Sequence, residues 1–146
     1  MREILFRAKA INRDKGYHRS NYKNGDWVYG LITRLYDERF ENLPTEMTDL
    51  NGVSGIEIDH NTICQYTGLT DKNGNKIWEN DFVKCQDVFG KINWNETHAS
   101  FVILADENGN MRYYYIDECL AKDDIEVIGN IFDNACIDEL LKGEEG

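Results

Sequence analysis

The sequence lacks several features that would assign the chain to a class at once. No apolar run approaches the roughly 18–20 residues that a membrane-spanning helix needs. The opening residues, MREILFRAKAINRDK, have no apolar core and no small-residue cleavage site, so we expect no secretory signal. Hydrophobic residues still make up 41% of the chain and aromatic residues 12%, which excludes a disordered protein. We therefore expect a folded, cytoplasmic chain that does not enter a membrane.

Motifs for phosphate, metal and nucleophile chemistry are also missing. There is no GxGxxG or GxxxxGK[ST] phosphate loop and no GxSxG elbow. The four cysteines have no CxxC spacing, and the histidines His18, His60 and His98 stand alone. We therefore expect no cofactor, no metal and no enzyme activity. The alternative is a hydrolase or metal enzyme that uses scattered acids with His60 or His98.

Positive charge is scarce and unevenly distributed. The chain has 16 Lys and Arg against 27 Asp and Glu, a net charge of −11. Residues 1–40 carry nine bases and five acids, a net +4, whereas residues 41–146 carry seven bases and 22 acids, a net −15. Because an acidic body repels nucleic acid and anionic lipid, an anionic partner is confined to the N-terminal segment.

One N-terminal stretch combines positive charge with aromatic rings. Cations neutralise phosphates, and aromatic rings stack on unpaired bases, so this stretch is a candidate nucleic-acid patch. The alternative is that it docks on the acidic body of its own chain or of a neighbouring copy. The candidate residues are Arg13, Lys15, Tyr17, Arg19, Tyr22 and Lys23.

The first half of the chain reads as β-structure. Short β-branched and aromatic runs broken by Gly, Asn and Asp are typical of all-β proteins, and helical periodicity is nearly absent. The runs Ile4–Ile11 and Trp27–Ile32 predict a long hairpin with a basic tip. Residues 37–55 contain the single proline, Pro44, and predict a long mobile loop or an internal boundary. We therefore assign residues 1–66 to an N-terminal β section.

The second half predicts a small barrel. Five apolar runs with short breaks predict an SH3-like barrel over residues 67–133, with one helical turn at 117–121. Asn134 is a candidate cap for a short C-terminal helix and tail over 134–146, and the N-terminal section is expected to pack on the barrel. The five runs are Phe82–Cys85, Lys91–Trp94, Ser100–Leu104, Arg112–Ile116 and Ile125–Ile131.

Two side-chain patterns have more than one interpretation. Asp71–Asn75 (DKNGN) and Asp106–Asn110 (DENGN) echo each other and predict two similar Asn-Gly turns, because their glycine is misplaced for a calcium loop. A second set of residues is strongly aromatic. It predicts core and rim packing, with a small aromatic groove as the alternative. That set is Trp27, Tyr29, Trp78, Trp94 and Tyr113–Tyr115.

Several segments together resemble the YopX family of phage and prophage proteins. The most specific is TICQYTGLTDKNGNKIWENDFVK at residues 62–84, with supporting pieces at residues 2–8, 27–30 and 125–134. Asn80 departs from the pattern, since glycine is expected before the aspartate, which affects only local turn geometry. The resemblance picks out six turn residues with a structural role: Tyr66, Gly68, Asp71, Gly74, Glu79 and Asp81.

The resemblance implies a β-rich phage or prophage protein in the cytoplasm of a bacterial host, and it implies no activity. The leading hypothesis is a non-enzymatic protein-interaction or self-assembly module. Its partner is another copy of itself or a phage or host protein, because an acidic body with a basic arm suits contacts between copies. The alternative is a nucleic-acid-binding accessory protein that uses residues 13–23.

Overall fold

A computed structural model describes residues 3–13, 21–40, 43–120 and 124–134. In these residues the chain is mainly β, with eleven strands, one short α-helix and single 3-10 turns at Glu38–Phe40 and His60–Thr62. The predicted fold class is confirmed at this level. The chain divides into two compact units, Met1–Gln65 and Tyr66–Gly146.

The first unit is an antiparallel sheet. Its strands lie in the order β4-β3-β2-β1, and the first two residues of β5 pair with β1 on the far side. The β1–β2 ladder, with Ala8 opposite Val28, forms the two arms of the predicted hairpin, whose tip falls on residues 14–20, outside the described residues. The strands are β1 (Phe6–Lys9), β2 (Trp27–Arg34), β3 (Glu46–Asp49), β4 (Ile56–Glu57) and β5 (Cys64–Thr70).

The prediction of one long loop over residues 37–55 is wrong in its centre, where β3 lies. Thr45, Met47 and Asp49 are buried while the residues between them are partly exposed, so the segment alternates as a strand does. Two of these inward residues are polar, which hides the alternation in the sequence. Met47 is fully buried in a core that also contains Ala8, Ala10, Val28, Ile56 and Ile58.

The second unit contains the rest of β5, which pairs with β6, and a five-stranded antiparallel sheet in the order β10-β9-β8-β7-β11. All five apolar runs are strands, and α1 confirms the predicted helical turn; β6 was not predicted. The predicted C-terminal helix falls on residues 135–146, outside the described residues. The elements are β6 (Lys76–Trp78), β7 (Asp81–Cys85), β8 (Val88–Asn95), β9 (Ser100–Glu107), β10 (Asn110–Tyr115), α1 (Ile116–Leu120) and β11 (Ile125–Asn130).

One face of the five-stranded sheet forms the core of the second unit. Side chains at alternate positions of neighbouring strands point to this face, and the partly buried Tyr114 of β10 packs against them. Cys85 lies in this core, and Cys64 is fully buried in the first unit; both are on strands. The core residues are Ile77, Val83, Cys85, Ile92, Ile103, Ile116 and Ile125.

The two Asn-Gly segments that echo each other in sequence adopt different turns. In the second, Asn108 and Gly109 have φ angles of 56° and 80°, and Glu107 pairs with Asn110, so a two-residue turn with positive φ joins β9 to β10. In the first, the carboxylate of Asp71 organises a five-residue loop: its Oδ1 accepts from the N–H groups of Asn73 and Asn75, both at 2.9 Å. The predicted similarity of the two turns is therefore wrong.

The true structural counterpart of the Asp71 loop lies in the first unit. Asp49 begins the sequence DLNGV, and its Oδ1 accepts from the N–H groups of Asn51 and Val53, both at 2.9 Å. Both aspartates also receive a backbone bond from the glycine three residues later and donate their own N–H to the carbonyl four residues later. In each loop the aspartate carboxylate therefore accepts N–H groups that would otherwise pair with a neighbouring strand.

Asp71 also covers one edge of the five-stranded sheet. Its Oδ2 accepts from the N–H of Val127 at 2.9 Å, and the N–H of Lys72 donates to the carbonyl of Ile125 at 3.0 Å. Burial alone raises the pKa of Asp71, but the N–H groups of Val127, Asn75 and Asn73 outweigh it and lower the pKa below its ordinary value. Two outward groups of the edge strand β11, the C=O of Ile125 and the N–H of Val127, are thus already bonded within the unit.

Replacing Asp71 by asparagine tests this role. The amide keeps one acceptor but places N–H donors where the carboxylate accepts from Val127, so a buried donor loses its partner. We expect Asp71→Asn to lower the free energy of unfolding by about 1–3 kcal/mol in urea denaturation. The control is Asp106→Asn, the exposed position with the same local sequence, with an expected change within about 0.5 kcal/mol.

The pH dependence gives the sign of the same interaction. Because the folded pKa of Asp71 is lowered, its carboxylate stabilises the fold above the unfolded value of about 3.9, and this stabilisation is lost as the pH falls through the folded pKa. The difference between wild type and Asp71→Asn should therefore shrink below about pH 4. A difference that stays constant down to acid unfolding would contradict the assignment.

Candidate interaction surface

Turn residues named by the resemblance hold the fold of the second unit. Tyr66 is buried, its ring lies 5.4 Å from that of Trp78, and the ammonium of Lys76 lies 4.6 Å from its centre. Gly68 and Gly74 have φ angles of 88° and 81°, a region that favours glycine. These three residues shape the β5–β6 connection and offer no exposed reactive group.

The Glu79–Asp81 turn has the same character. Asp81 is 1% exposed, and its Oδ2 accepts from the N–H of Trp78 at 2.8 Å; Glu79 is half-buried. Asn80, where the family pattern calls for glycine, has a φ of 69°, so the position does require the left-handed region. Asparagine tolerates that region better than other non-glycine residues, which explains why the departure leaves the turn intact.

The basic N-terminal patch is only partly within the described residues, since Lys15, Tyr17 and Arg19 lie outside them. Arg13 pairs with Glu57 of the same unit, its Nε 2.6 Å from a carboxylate oxygen. The backbone N–H of Lys23 donates to Asp26 at 2.8 Å in a turn. Arg13 is thus paired with an acid of its own unit, and the side chain of Lys23 is exposed beside Asp26.

Tyr22 is anchored rather than available for stacking. Its hydroxyl donates to Oδ2 of Asp49 at 2.8 Å, on the same carboxylate that organises the DLNGV loop. Burial, the hydrogen bond to Asp49 and the nearby negative charges of Asp49 and Asp26 raise the pKa of Tyr22 to about 12. Tyr22 therefore ties the base of the hairpin to the β3 loop.

The aromatic residues named from the sequence separate into distinct environments. In the first unit Trp27 lies beside Arg7 and Lys9, whose charged groups are 4.5 and 5.0 Å from its ring. In the second unit Trp78 is buried, whereas Trp94 is exposed at its edge contact with Phe101. Within each unit these positions agree with core and rim packing.

Tyr113 and Tyr115 form an exposed cluster with His98. They lie on the face of β10 opposite Tyr114, and their rings are 6.0 Å apart. His98 comes from the β8–β9 connection: its Nε2 shares a hydrogen bond of 3.1 Å with the hydroxyl of Tyr113, and its ring lies 6.2 Å from that of Tyr115. The His98–Tyr113–Tyr115 cluster thus has fixed rings that face outward.

The backbone of β10 adds hydrogen-bonding groups to this surface. Within the described residues β9 is the one strand paired with β10, so β10 is an edge strand. Glu107 and Asn110 flank the two-residue turn as a hydrogen-bonded pair, and such pairs alternate along an antiparallel ladder. Arg112 and Tyr114 therefore bond to β9, whereas the N–H and C=O groups of Met111 and Tyr113 and the N–H of Tyr115 point away from the sheet. The C=O of Tyr115 directly precedes α1 and accepts the first hydrogen bond of that helix.

Sequence reasoning named Tyr113 and Tyr115 but not their role, and it treated His98 as isolated. Three consecutive tyrosines carry no alternation of polarity, so the sequence does not say which of them faces the core. The useful signal was the register: the Asn108-Gly109 turn fixes which residues of the next strand bond inward.

No group of three or more His, Cys, Asp or Glu side chains in residues 3–13, 21–40, 43–120 and 124–134 is arranged to hold a metal ion. No helix in the described part of the chain has the length and apolar character to cross a membrane.

The Tyr22–Asp49 bond predicts a measurable effect. We expect Tyr22→Phe to lower the free energy of unfolding by about 1 kcal/mol, the usual net value of a hydrogen bond. Because the folded pKa of Tyr22 is raised, this contribution is complete below the ordinary pKa of about 10 and is lost as the pH rises towards 12. Urea denaturation at pH 8 and pH 11 measures both effects.

The matched control for Tyr22 is Tyr36→Phe, at an exposed tyrosine whose ring stacks on His60. It should change the free energy of unfolding by no more than about 0.5 kcal/mol. If both substitutions behave alike at both pH values, the Tyr22 hydroxyl does not anchor the hairpin.

Comparison with known proteins identifies one family. The family model described as YopX protein matches residues 6–142, nearly the whole chain. No curated protein matches the sequence.

Proposed function

Because the chain belongs to the YopX protein family, we propose that it is a phage- or prophage-encoded protein-interaction module without catalytic activity. It works in the cytoplasm of the bacterial host, and it binds either copies of itself or a phage or host protein. Its binding surface is the outer edge of β10 together with the His98–Tyr113–Tyr115 cluster. The second unit supplies this surface as an SH3-like barrel.

The strand order supports the barrel. Successive strands β7 to β10 pair with their neighbours, α1 follows β10, and β11 then returns to pair with β7. This is the connectivity of SH3-like barrels, in which the fifth strand lies beside the first. Among the described residues, hydrogen bonding leaves β10 and β11 as the two edges of this sheet.

The observation that carries the proposal is the exposure of β10. Met111, Tyr113 and Tyr115 are 60%, 46% and 40% exposed, although they lie on a regular strand whose backbone groups point outward. An exposed edge strand is a template for another strand unless it is covered or charged. Tyrosine is also enriched in protein interfaces, since its ring buries a large area and its hydroxyl finds a partner.

The carboxylates of Asp49 and Asp71 support a structural rather than a catalytic role for the acidic groups. Asp49 and Asp71 have lowered pKa values because, against the opposing effect of burial, several N–H donors bind their charged forms. A general acid or base instead needs a pKa near the working pH and a proton within reach of a substrate. The oxygens of these two aspartates are occupied by loop N–H groups, by the N–H of Val127 on β11 and by the hydroxyl of Tyr22.

The alternative of nucleic-acid binding through residues 13–23 stays a prediction. We expect a quadruple Ala substitution of Arg13, Lys15, Arg19 and Lys23 to leave protein partners bound. A labelled single-stranded DNA of about 20 nucleotides, at about 50 mM salt, tests the alternative because electrostatic binding is strongest there. A shift that the substitution abolishes would favour nucleic acid over the proposal.

Partner capture tests the proposed surface. Tagged wild type, Tyr113→Ser/Tyr115→Ser and the control Phe89→Ser are passed through lysate of host cells, and any captured protein is then purified and titrated against all three. We expect the double substitution to weaken binding at least about tenfold, since each buried interface aromatic contributes more than about 1 kcal/mol. Phe89 is equally exposed but lies on an interior strand, so its variant should bind like wild type.

A further inference from the structure

We propose that the partner of β10 is β10 of a second copy of this chain, paired antiparallel across a two-fold axis. This rests on the proposed interaction surface and names its occupant. The two five-stranded sheets would join edge to edge into one continuous sheet, a common use of an open edge strand.

The backbone of β10 allows this pairing in one register. The outward groups are the N–H and C=O of Met111 and Tyr113 and the N–H of Tyr115, at every second residue. If Tyr113 lies opposite Tyr113 of the second copy, then Met111 lies opposite Tyr115, and all three outward residues on each chain meet outward residues. The pairing makes about four main-chain hydrogen bonds: two between the two Tyr113 residues, and one from the N–H of each Tyr115 to the C=O of Met111 on the other copy.

The side chains of the same three residues complement each other in this register. Tyr113 meets its own copy at the axis, and each Tyr115 meets a Met111, on the face where all three are exposed. Directly opposed aromatic and apolar side chains are the pairs that stabilise antiparallel ladders. The hydrogen bond to His98 already holds Tyr113 in place, which lowers the entropy lost when the ring is buried.

Charge is also favourable at this edge, although the chain as a whole carries −11. Arg112 is the only charged residue of β10, and its Nε lies 3.5 Å from Glu107 of the same chain. Glu107 also accepts the hydroxyl of Tyr114. In the proposed register Arg112 lies opposite Tyr114 of the second copy, so each Arg112 comes within reach of the other chain's Glu107 and the two arginines do not face each other.

The opposite edge limits the assembly to two copies. On β11 the C=O of Ile125 is bonded to the N–H of Lys72 and the N–H of Val127 to Asp71, so this edge is a poorer template than β10. A sheet with one open edge gives a closed two-fold dimer rather than a fibre.

Sedimentation velocity of the full chain over a range of concentrations tests the proposal. We expect a species of twice the 17.0 kDa chain mass that changes little between low and high salt, since main-chain bonds and aromatic contacts carry it. Tyr113→Lys, which opposes two lysines at the axis, should shift dissociation to at least about 100-fold higher concentration. Phe89→Lys, on an interior strand, should leave the dimer unchanged.

Charge reversal and hydrogen exchange check the register. Arg112→Glu should weaken the dimer, and Glu107→Arg/Arg112→Glu should restore it, because the double variant rebuilds the pair with exchanged signs. The amides of Tyr113 and Tyr115 should become protected as the concentration rises, and those of Arg112 and Tyr114 should be protected throughout. This readout uses the unmodified protein and does not depend on any variant folding.

The outcomes separate this inference from the proposed function. A wild-type monomer at every concentration, or a dimer that Tyr113→Lys leaves intact while the β10 amides exchange freely, overturns self-pairing through β10. If the chain is monomeric but loses a captured partner in Tyr113→Ser/Tyr115→Ser, the interaction surface holds and a different protein occupies it. A dimer that dissociates in salt and depends on Arg13 and Lys23 would instead place the contact at the basic N-terminal segment.

Discussion

The carboxylate of Asp71 is the interaction on which most of the second unit depends. With four donors it closes the β5–β6 loop and holds β11, which is 56 residues further along the chain. A neutral side chain of the same shape cannot accept from all of these N–H groups, and water cannot replace it at a 6% exposed position. The DKNG sequence therefore fixes both a turn and the end of a sheet.

Asp49 has a comparable role in the first unit, but its partner from a distant segment is a different group. Where Asp71 receives a backbone N–H from β11, Asp49 receives the hydroxyl of Tyr22. Two copies of one loop geometry thus fasten two distant segments. The many acids of this chain are accordingly of two kinds: a few are buried acceptors that the fold requires, and the others, such as Asp106, are exposed and contribute mainly to its negative charge.

The sequence predicted those elements whose local pattern agrees with their environment. The strands β7 to β11 alternate or run apolar between turn residues, so their positions could be read directly. β3 was missed because the polar residues Thr45 and Asp49 face inward. The carboxylate of Asp49 is satisfied there by Tyr22, Asn51 and Val53, and the sequence does not display these hydrogen bonds. The partners of Asp71 and Tyr22 could not be predicted because they lie far along the chain, and the open face of β10 could not because all of Tyr113–Tyr115 are aromatic.

The short Asn108-Gly109 turn has a consequence for the order of folding. Hairpins with two-residue turns form within microseconds, whereas β11 must find β7 across some 40 residues of chain, and such non-local pairing is slower. Until β11 docks, both outer strands of the β7–β10 sheet are open edges, and the Asp71 carboxylate lacks its partner on β11. Newly made chains are therefore most prone to misassembly before β11 docks. High expression rates or low temperature would affect the yield of folded protein through this step.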